Sequence, residues 1–363
     1  MEAAVKDWWI YHGLGTREEK RARLEAAPPP PWRDFSGTPD PRYAPPGCEG
    51  PAWQRTVERG ERYVPDDLEK DVVNTALYLR RPLLVTGKPG VGKSTLAHSI
   101  AADLGLGPVL RWSITSRSVM RDGLYLYDAI GRLQEANLEE ARAAAPRVGG
   151  LRRRAPRPSC ATAPHGASSI SRFLRLGPLG TALLPQDRPR LLLVDEIDKS
   201  DIDLPGDLLT VLEDGRFEIP ELARMAGEET SVPIATDDTQ DARVLIGSGR
   251  VQCRYFPIVV LTSNGERDFP PAFLRRCVRL ELQPPGAEKL ARIIRSRLGV
   301  DIAEHDEYRR LVQTFIDRSA DGDLATDQLL NAIQLRLSRA WTDDADRERF
   351  LTTVMHHLTG PSA

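Results

Sequence analysis

A glycine-rich octapeptide at residues 87–94 constrains this chain more than any other feature. It reads Gly-Lys-Pro-Gly-Val-Gly-Lys-Ser and fits the pattern G-x-x-x-x-G-K-[ST] without a mismatch. An apolar triplet at 83–85 precedes it, and a helix-like segment at 95–104 follows it. Because glycine has no Cβ, such a loop can turn successive backbone N–H groups toward an anion. The sequence therefore predicts a strand, a phosphate-binding loop and a helix in succession.

The pattern also assigns roles to individual residues of this loop. Lys93 is expected to place a positive charge on the β- and γ-phosphates of a nucleoside triphosphate, and the Ser94 hydroxyl is the expected Mg²⁺ ligand. ATP and Mg²⁺ are the predicted cofactors. The predicted cofactor-binding residues are Gly87, Lys88, Pro89, Gly90, Val91, Gly92, Lys93, Ser94 and Thr95.

An acidic pair closes a second apolar run. Residues 191–194 are four consecutive apolar residues, which is typical of a strand covered on both faces in a parallel sheet. Asp195 at its end is the predicted second Mg²⁺ ligand, and Glu196 is the candidate base that polarises the attacking water. A lone acidic pair at a strand end is usually solvated surface. The upstream phosphate loop favours the catalytic interpretation here.

The sequence after this acidic pair resembles a known protein family. Residues 195–213 resemble the acidic strand end and following helix of AAA+ ATPases, specifically the MoxR group. Asn264 closes a further apolar run at 258–261 and resembles the sensor-1 residue, which would hold the lytic water or a γ-phosphate oxygen. Arg276 falls at the candidate arginine finger of MoxR-like proteins, and Arg275 stands in place of an acidic neighbour. A guanidinium suits this catalytic role because it stays charged and spreads its donors over several phosphate oxygens.

The resemblance covers about residues 60–360, and it implies a fold and an activity. The expected fold is an α/β P-loop AAA+ domain, with a parallel sheet and helices on both faces, followed by a smaller all-helical lid. The expected activity is ATP hydrolysis in a ring, a hexamer, that remodels or activates a partner protein in a chaperone-like way. Because an arginine finger acts on the neighbouring subunit's nucleotide, it requires such a ring. The resemblance also implies partners of the von Willebrand A type.

The chain departs from the family pattern at the sensor-2 position of the lid. An arginine is expected there, whereas our alignment places Asp327 at that position. Either Arg318 or Arg336 substitutes for it, or sensor 2 is missing and the lid responds to nucleotide differently.

The sequence divides into a leader, residues 1–60, a large domain, 61–283, and a lid, 284–363. The leader mixes aromatic residues with prolines, and it either wraps its own core or docks on a neighbouring subunit or partner. Apolar periodicity predicts lid helices at 287–298, 307–318, 327–340 and 346–358. Strands of the large domain are predicted at 83–85, 109–114, 191–194, 258–261 and 278–282.

Two insertions interrupt the large domain, near residues 115–184 and 218–255. Within the first, 143–171 is rich in Ala, Arg, Pro, Gly and Ser. It is predicted to be a disordered basic loop, with a substrate- or nucleic-acid-contacting loop as the alternative. Within the second, apolar runs on both sides of Gly247-Ser-Gly249 predict a β-hairpin.

Composition bounds the remaining possibilities. The net charge is −2, so there is no global field to attract nucleic acid or an anionic membrane. No apolar run approaches the length of a bilayer span, and the four cysteines show no metal-binding spacing. We therefore expect a cytoplasmic protein with reduced thiols. Two rival functions stay open: a nucleic-acid motor or restriction-type NTPase, and a nucleotide-gated switch, against which Glu196 argues.

Overall fold

The computed structural model describes residues 5–144, 170–225, 231–238, 242–321, 324–338 and 353–354. The strands are β1 (Leu83–Thr86), β2 (Leu110–Ser113), β3 (Tyr125–Tyr127), β4 (Leu174–Leu176), β5 (Leu191–Asp195), β6 (Arg216–Glu218), β7 (Val232–Ala235), β8 (Arg243–Ile246), β9 (Arg250–Gln252), β10 (Ile258–Ser263) and β11 (Val278–Glu281). The helices are α1 (Arg17–Ala26), α2 (Gly50–Gly60), α3 (Asp67–Leu79), α4 (Lys93–Leu104), α5 (Met120–Leu124), α6 (Ala129–Ala144), α7 (Pro178–Ala182), α8 (Leu204–Asp214), α9 (Pro220–Ala223), α10 (Pro271–Leu274), α11 (Ala287–Leu298), α12 (Asp306–Asp321) and α13 (Thr326–Leu337).

A five-stranded parallel sheet, in the order β11-β1-β10-β5-β2, forms the centre of the fold. Its strands are the five predicted from the apolar runs, with ends that differ by one or two residues. Leu83 and Val85 face a cluster that includes α3 and α4, whereas Leu84 faces a cluster that includes α7 and α8. Helices therefore cover both faces, and the inner strands β1, β5 and β10 are mostly apolar, whereas the edge strands β2 and β11 alternate apolar and polar residues. The predicted α/β class and parallel sheet are confirmed.

The predicted hairpin around residues 247–249 is wrong. The two strands that flank this turn, β8 and β9, belong to different sheets. β8 pairs with β7, and β9 pairs antiparallel with β6. The turn is nevertheless tight: Gly249 has a φ of 70°, and a Cβ there would lie 2.7 Å from the carbonyl oxygen of Ile219. This close approach, sealed by a hydrogen bond from the Ile219 N–H to the Gly249 carbonyl, directs β9 toward β6.

The leader packs against the large domain of its own chain, as the first of the two alternatives predicts. Trp9, Ile10 and Tyr11 are almost completely buried, and Trp53 on α2 is also buried. Asn74 on α3 holds this segment through its fully buried amide. Its Oδ1 accepts the backbone N–H groups of Ile10 and Tyr11 at 2.7 and 2.9 Å, and its Nδ2 donates to the Tyr11 carbonyl at 2.8 Å. One side chain thus replaces the backbone partners that this irregular segment lacks.

Asn74→Ala is expected to lower the free energy of unfolding by about 2–4 kcal/mol, because two buried N–H groups lose their acceptor. Urea denaturation followed by tryptophan fluorescence would measure the loss. Thr75→Ala, one residue along the same helix, is the matched control, since its hydroxyl only adds a bond to the helical carbonyl of Asp71. Equal denaturation midpoints for the two variants would show that Asn74 does not anchor the leader.

The helices after residue 286 form a core of their own. Leu290 and Ile294 of α11, Phe315 of α12 and Ile333 of α13 belong to a cluster separate from both sheet faces. Helix α11 has the predicted bounds, 287–298. Helices α12 and α13 differ from their predicted bounds by one to three residues at each end. The fourth, predicted at 346–358, lies outside the described residues apart from 353–354, as does most of the basic loop predicted at 143–171.

Among the described residues, no helix is both long and apolar enough to cross a bilayer. Cys48, Cys253 and Cys277 are free thiols, as predicted, and Cys160 lies outside the described residues. Burial raises the pKa of Cys253 and of Cys277 to about 12, so both stay protonated at neutral pH.

Candidate functional site

A cleft of about 610 Å³ opens where the carboxyl ends of the central strands meet α11 and α13. Such ends are the usual ligand-binding edge of an open parallel sheet. Most of the residues predicted to bind nucleotide, Mg²⁺ or water line this cleft. They are Pro89, Gly90, Val91, Gly92, Lys93, Ser94, Thr95, Asp195, Glu196 and Asn264.

The glycine-rich loop joins β1 to α4, as predicted, and its glycines meet specific neighbours. Gly90 has a φ of 77°, and a Cβ there would lie 2.2 Å from the Cβ of Ala325, the N-cap residue immediately before α13. Gly92 has a φ of 102° at the start of α4, and a Cβ there would meet the ring of Tyr63 at 3.2 Å. Bulkier residues would therefore push the loop away from the helices that close the cleft.

Lys93 folds back over this loop. Its Nζ donates to the carbonyl oxygens of Gly87 and Lys88, at 2.7 and 2.9 Å. Burial lowers the pKa of Lys93, and the nearby carboxylates of Asp198 and Asp195 oppose this shift. The ammonium group is thus held at the loop, where it can exchange carbonyl partners for phosphate oxygens.

The Asp195 carboxylate is the electrostatic centre of the site. Its Oδ1 accepts the Ser94 hydroxyl at 2.7 Å and the Thr262 hydroxyl at 2.8 Å. Its Oδ2 accepts the guanidinium of Arg111 at 2.6 Å. Burial alone would raise the pKa of Asp195, but the three hydrogen-bond partners outweigh burial and lower it. The two residues predicted to bind Mg²⁺, Ser94 and Asp195, are therefore in direct contact.

Glu196 lies in a strained position at the end of β5. Its φ is 61° in the left-handed region, and its backbone N–H donates to the Thr262 hydroxyl at 2.9 Å. Glu196 lines the cleft, and its carboxylate pairs with the Lys199 Nζ at 2.8 Å. The same contact raises the pKa of Lys199. To accept a proton from water, Glu196 would have to give up this partly exposed ion pair, which costs little.

Sequence reasoning missed Asp198, which ties the Asn264 turn to the acidic strand end. The buried Oδ2 of Asp198 accepts the backbone N–H of Asn264 at 2.7 Å and that of Glu266 at 3.2 Å. The Asn264 amide itself donates to Glu266 Oε1 at 3.3 Å. Asp198 follows the recognised acidic pair by only two residues. No local pattern, however, indicates that its carboxylate turns toward the end of β10.

The two predicted arginine-finger residues do not line the cleft of their own subunit. Arg276 pairs with Glu213 at the end of α8 and also donates to the Ala272 carbonyl at 3.2 Å. Arg275 offers its backbone carbonyl to Arg81 at 3.3 Å. The structure thus leaves both guanidiniums outside the cleft that holds Lys93.

Asp327, which the alignment to the family pattern places at the expected sensor-2 position, lines the cleft on the first turn of α13. Neither predicted substitute, Arg318 nor Arg336, is among the lining residues, and Arg336 pairs with Glu307 at 2.6 Å instead. Arg297 of α11 lines the cleft in their place. Burial lowers its pKa, as does the charge of Arg62, and the Asp327 carboxylate opposes the shift.

The cleft also holds more positive charge than the sequence motifs indicate. The motifs assign Lys93 and Mg²⁺ to the phosphates within one subunit, and the lining residues of the cleft include four further cationic side chains. Lys289 is already committed to Asp66 and Glu69, at 2.7 and 2.5 Å. The additional cationic side chains that line the cleft are Arg62, Arg111, Lys289 and Arg297.

The oxygen ligands present fit Mg²⁺ bound together with a nucleotide. Mg²⁺ favours oxygen donors and is usually held by one or two carboxylates together with substrate phosphates and water. Ser94 and Asp195 supply a hydroxyl and a carboxylate on one wall of the cleft. Within the part of the chain described, no group of three His, Cys, Asp or Glu side chains forms a metal site. The remaining ligands would therefore come from phosphate oxygens and water.

No protein-family model matches this chain, and no curated protein matches it significantly. A functional assignment therefore depends on the motifs and on the geometry of this cleft.

Proposed function

We propose that this protein is a MoxR-like AAA+ ATPase that hydrolyses ATP with Mg²⁺ in the cleft described above. The observation that carries the proposal is the 2.7 Å hydrogen bond between Ser94 and Asp195, beside Lys93 in the same cleft. Ser94 and Asp195 are separated by a hundred residues, and the parallel sheet brings them together. A glycine-rich turn alone would not require this arrangement.

In this proposal, the residues predicted to act on phosphate, Mg²⁺ and water have distinct roles. Lys93 exchanges the carbonyls of Gly87 and Lys88 for phosphate oxygens and neutralises their charge. Ser94 and Asp195 would hold Mg²⁺, which withdraws charge from the phosphates when bound. Glu196 leaves Lys199 and accepts a proton from the attacking water, while Asn264, fixed by Asp198, orients that water.

Assembly and partner belong to the same proposal. Because Arg276 lies outside its own cleft, it would act on the nucleotide of a neighbouring subunit in a ring, a hexamer by family resemblance. Helices α11 to α13 would act as the lid, since Ala325 touches Gly90 and Lys289 bridges to α3. Lid movement would remodel a partner protein, with a von Willebrand A-type domain as the partner class that the resemblance suggests.

Equilibrium binding of a fluorescent ATP analogue to the full chain, with Mg²⁺ present, tests the proposal. We expect saturable binding that unlabelled ATP displaces and that Ser94→Ala weakens. Ser99→Ala is the matched control, because Ser99 lies on the same helix and contacts Tyr11 rather than Asp195. Absence of saturable binding by the parent protein would refute the proposed function.

The nucleic-acid motor gains no support from the described residues. Its sequence cue, the arginine-rich run at 152–157, lies outside them.

A further inference from the structure

Arg111 occupies one whole side of the Asp195 carboxylate. Its Nε and Nη2 both donate to Asp195 Oδ2, at 3.2 and 2.6 Å. The other oxygen, Oδ1, already accepts the hydroxyls of Ser94 and Thr262. All the lone-pair directions of this carboxylate are therefore in use, and two of them are used by a single cationic side chain.

We propose that Arg111 is an internal counterion of Asp195 that competes with Mg²⁺ for Oδ2 and must leave this oxygen before Mg²⁺ can use it. The inference rests on the proposed function, because it concerns the same metal site. A guanidinium and a divalent cation cannot both occupy one carboxylate oxygen without strong repulsion. Arg111 is thus a positioning residue that acts through Asp195 and sets how much Mg²⁺ the site requires.

The surroundings of Arg111 allow it to leave. It lies on β2, the edge strand of the sheet, and half of its side chain is exposed. Among the described residues, Asp195 is the only hydrogen-bond or ion-pair partner of its guanidinium.

A second position for the guanidinium lies next to the cleft. A side pocket of about 300 Å³ is lined by Arg111, Ser94 and Thr95, by Glu58 and His98, and by two further cationic residues, Arg59 and Arg297. The Glu58 carboxylate has no ion-pair partner within the described ranges, so it can receive the released guanidinium. His98 is buried and burial lowers its pKa to about 4, so the competing positive charges in this pocket are those of Arg59 and Arg297.

Exchange between the two positions predicts a specific magnesium dependence. Removing Arg111 removes the competitor, so Mg²⁺ should support nucleotide binding at a lower concentration. Loss of a partly exposed ion pair should lower the half-saturating Mg²⁺ concentration by about fivefold. The affinity for nucleotide without Mg²⁺ should change by about twofold or less, because the Arg111 guanidinium binds Asp195 and not phosphate.

The test is a Mg²⁺ titration of fluorescent ATP-analogue binding to full-length protein, carried out for the parent and for Arg111→Gln. The half-saturating Mg²⁺ concentration is expected to fall about fivefold in Arg111→Gln and by an intermediate amount in Arg111→Lys, which keeps the charge but not the paired donors. Arg59→Gln is the control. It removes the same charge from the same side pocket without touching Asp195, and it should shift the midpoint less than twofold.

Each result decides between two accounts. An unchanged midpoint in Arg111→Gln, or a shift equal to that of Arg59→Gln, would show that Arg111 does not compete with Mg²⁺. A raised midpoint would show that Arg111 instead orients Asp195 for the metal, which also overturns the proposal. In both cases the parent protein still binds nucleotide with Mg²⁺, so the proposed function survives. Failure of the parent to bind at all would overturn the function and this inference together.

Discussion

Replacing Glu196 with glutamine is expected to reduce ATP turnover by on the order of 10²- to 10³-fold while leaving ATP bound, since a positioned general base contributes on this scale. Glutamine keeps the size and hydrogen-bonding capacity of the side chain but cannot accept the proton of the attacking water. Among the described residues, the Glu196 carboxylate has Lys199 as its hydrogen-bond partner and no hydrogen-bond partner in the glycine-rich loop, so the loss should leave ground-state binding intact. Phosphate release and analogue binding, measured on the same preparation, would separate the two effects.

Lys93→Ala should behave in the opposite way and lose nucleotide binding itself. Lys93 sits on the loop and exchanges its carbonyl partners for phosphate oxygens, so it acts on the bound ground state. The control for Glu196→Gln is Glu288→Gln, which removes the negative charge of an exposed carboxylate on α11. It should change neither ATP turnover nor analogue binding. If Lys93→Ala and Glu196→Gln lose ATP affinity equally, the division of roles between them is wrong.

Arg276→Ala is expected to lower turnover on the order of 10³-fold, the contribution typical of an arginine finger. The guanidinium lies outside its own cleft, so its effect should depend on a neighbouring subunit. Mixing Arg276→Ala subunits with Lys93→Ala subunits should therefore restore part of the activity, because an intact cleft can then face an intact finger. Phosphate release across a range of mixing ratios would measure this complementation.

The competing explanation is structural, since Arg276 also ties α10 to Glu213 on α8. Glu213→Ala removes this contact from the other side and serves as the control. We expect Glu213→Ala to keep most of its activity, because the arginine remains available to the neighbour. Equal losses in Glu213→Ala and Arg276→Ala, with no recovery on mixing, would contradict the ring mechanism, as would a specific activity that stays constant on dilution to monomers.

The three inner strands of the sheet could be predicted because each is a short apolar run that must be covered on both faces, whereas the edge strands β2 and β11 alternate apolar and polar residues. Their spatial order is a property of the whole sheet, and no single strand carries it. The contact between Ser94 and Asp195 follows from two recognisable motifs on strand ends. The contact between Arg111 and Asp195 depends instead on the register of β2 against β5, in which Ser113 lies opposite Asp195. A lone arginine in a strand gives no local sign of this neighbour.

The errors have the same origin. A glycine-rich turn between two apolar runs predicts the hairpin around residues 247–249. In the structure, however, β9 pairs with β6 and β8 pairs with β7. The sequence predicts that Arg318 or Arg336 substitutes for the arginine missing at Asp327. The arginine that lines the cleft is instead Arg297, on α11. In each case the decisive partner comes from an element that is distant in the sequence.

The most direct test of the central claim is phosphate release from ATP and Mg²⁺ by the full chain at ring-forming protein concentrations. Lys93→Ala, prepared in parallel, defines the background. The account predicts stoichiometric ADP and phosphate from the parent protein, turnover that depends on Mg²⁺, and no release above background from the variant. Equal rates in the two preparations, or no release by the parent at any protein concentration, would contradict it.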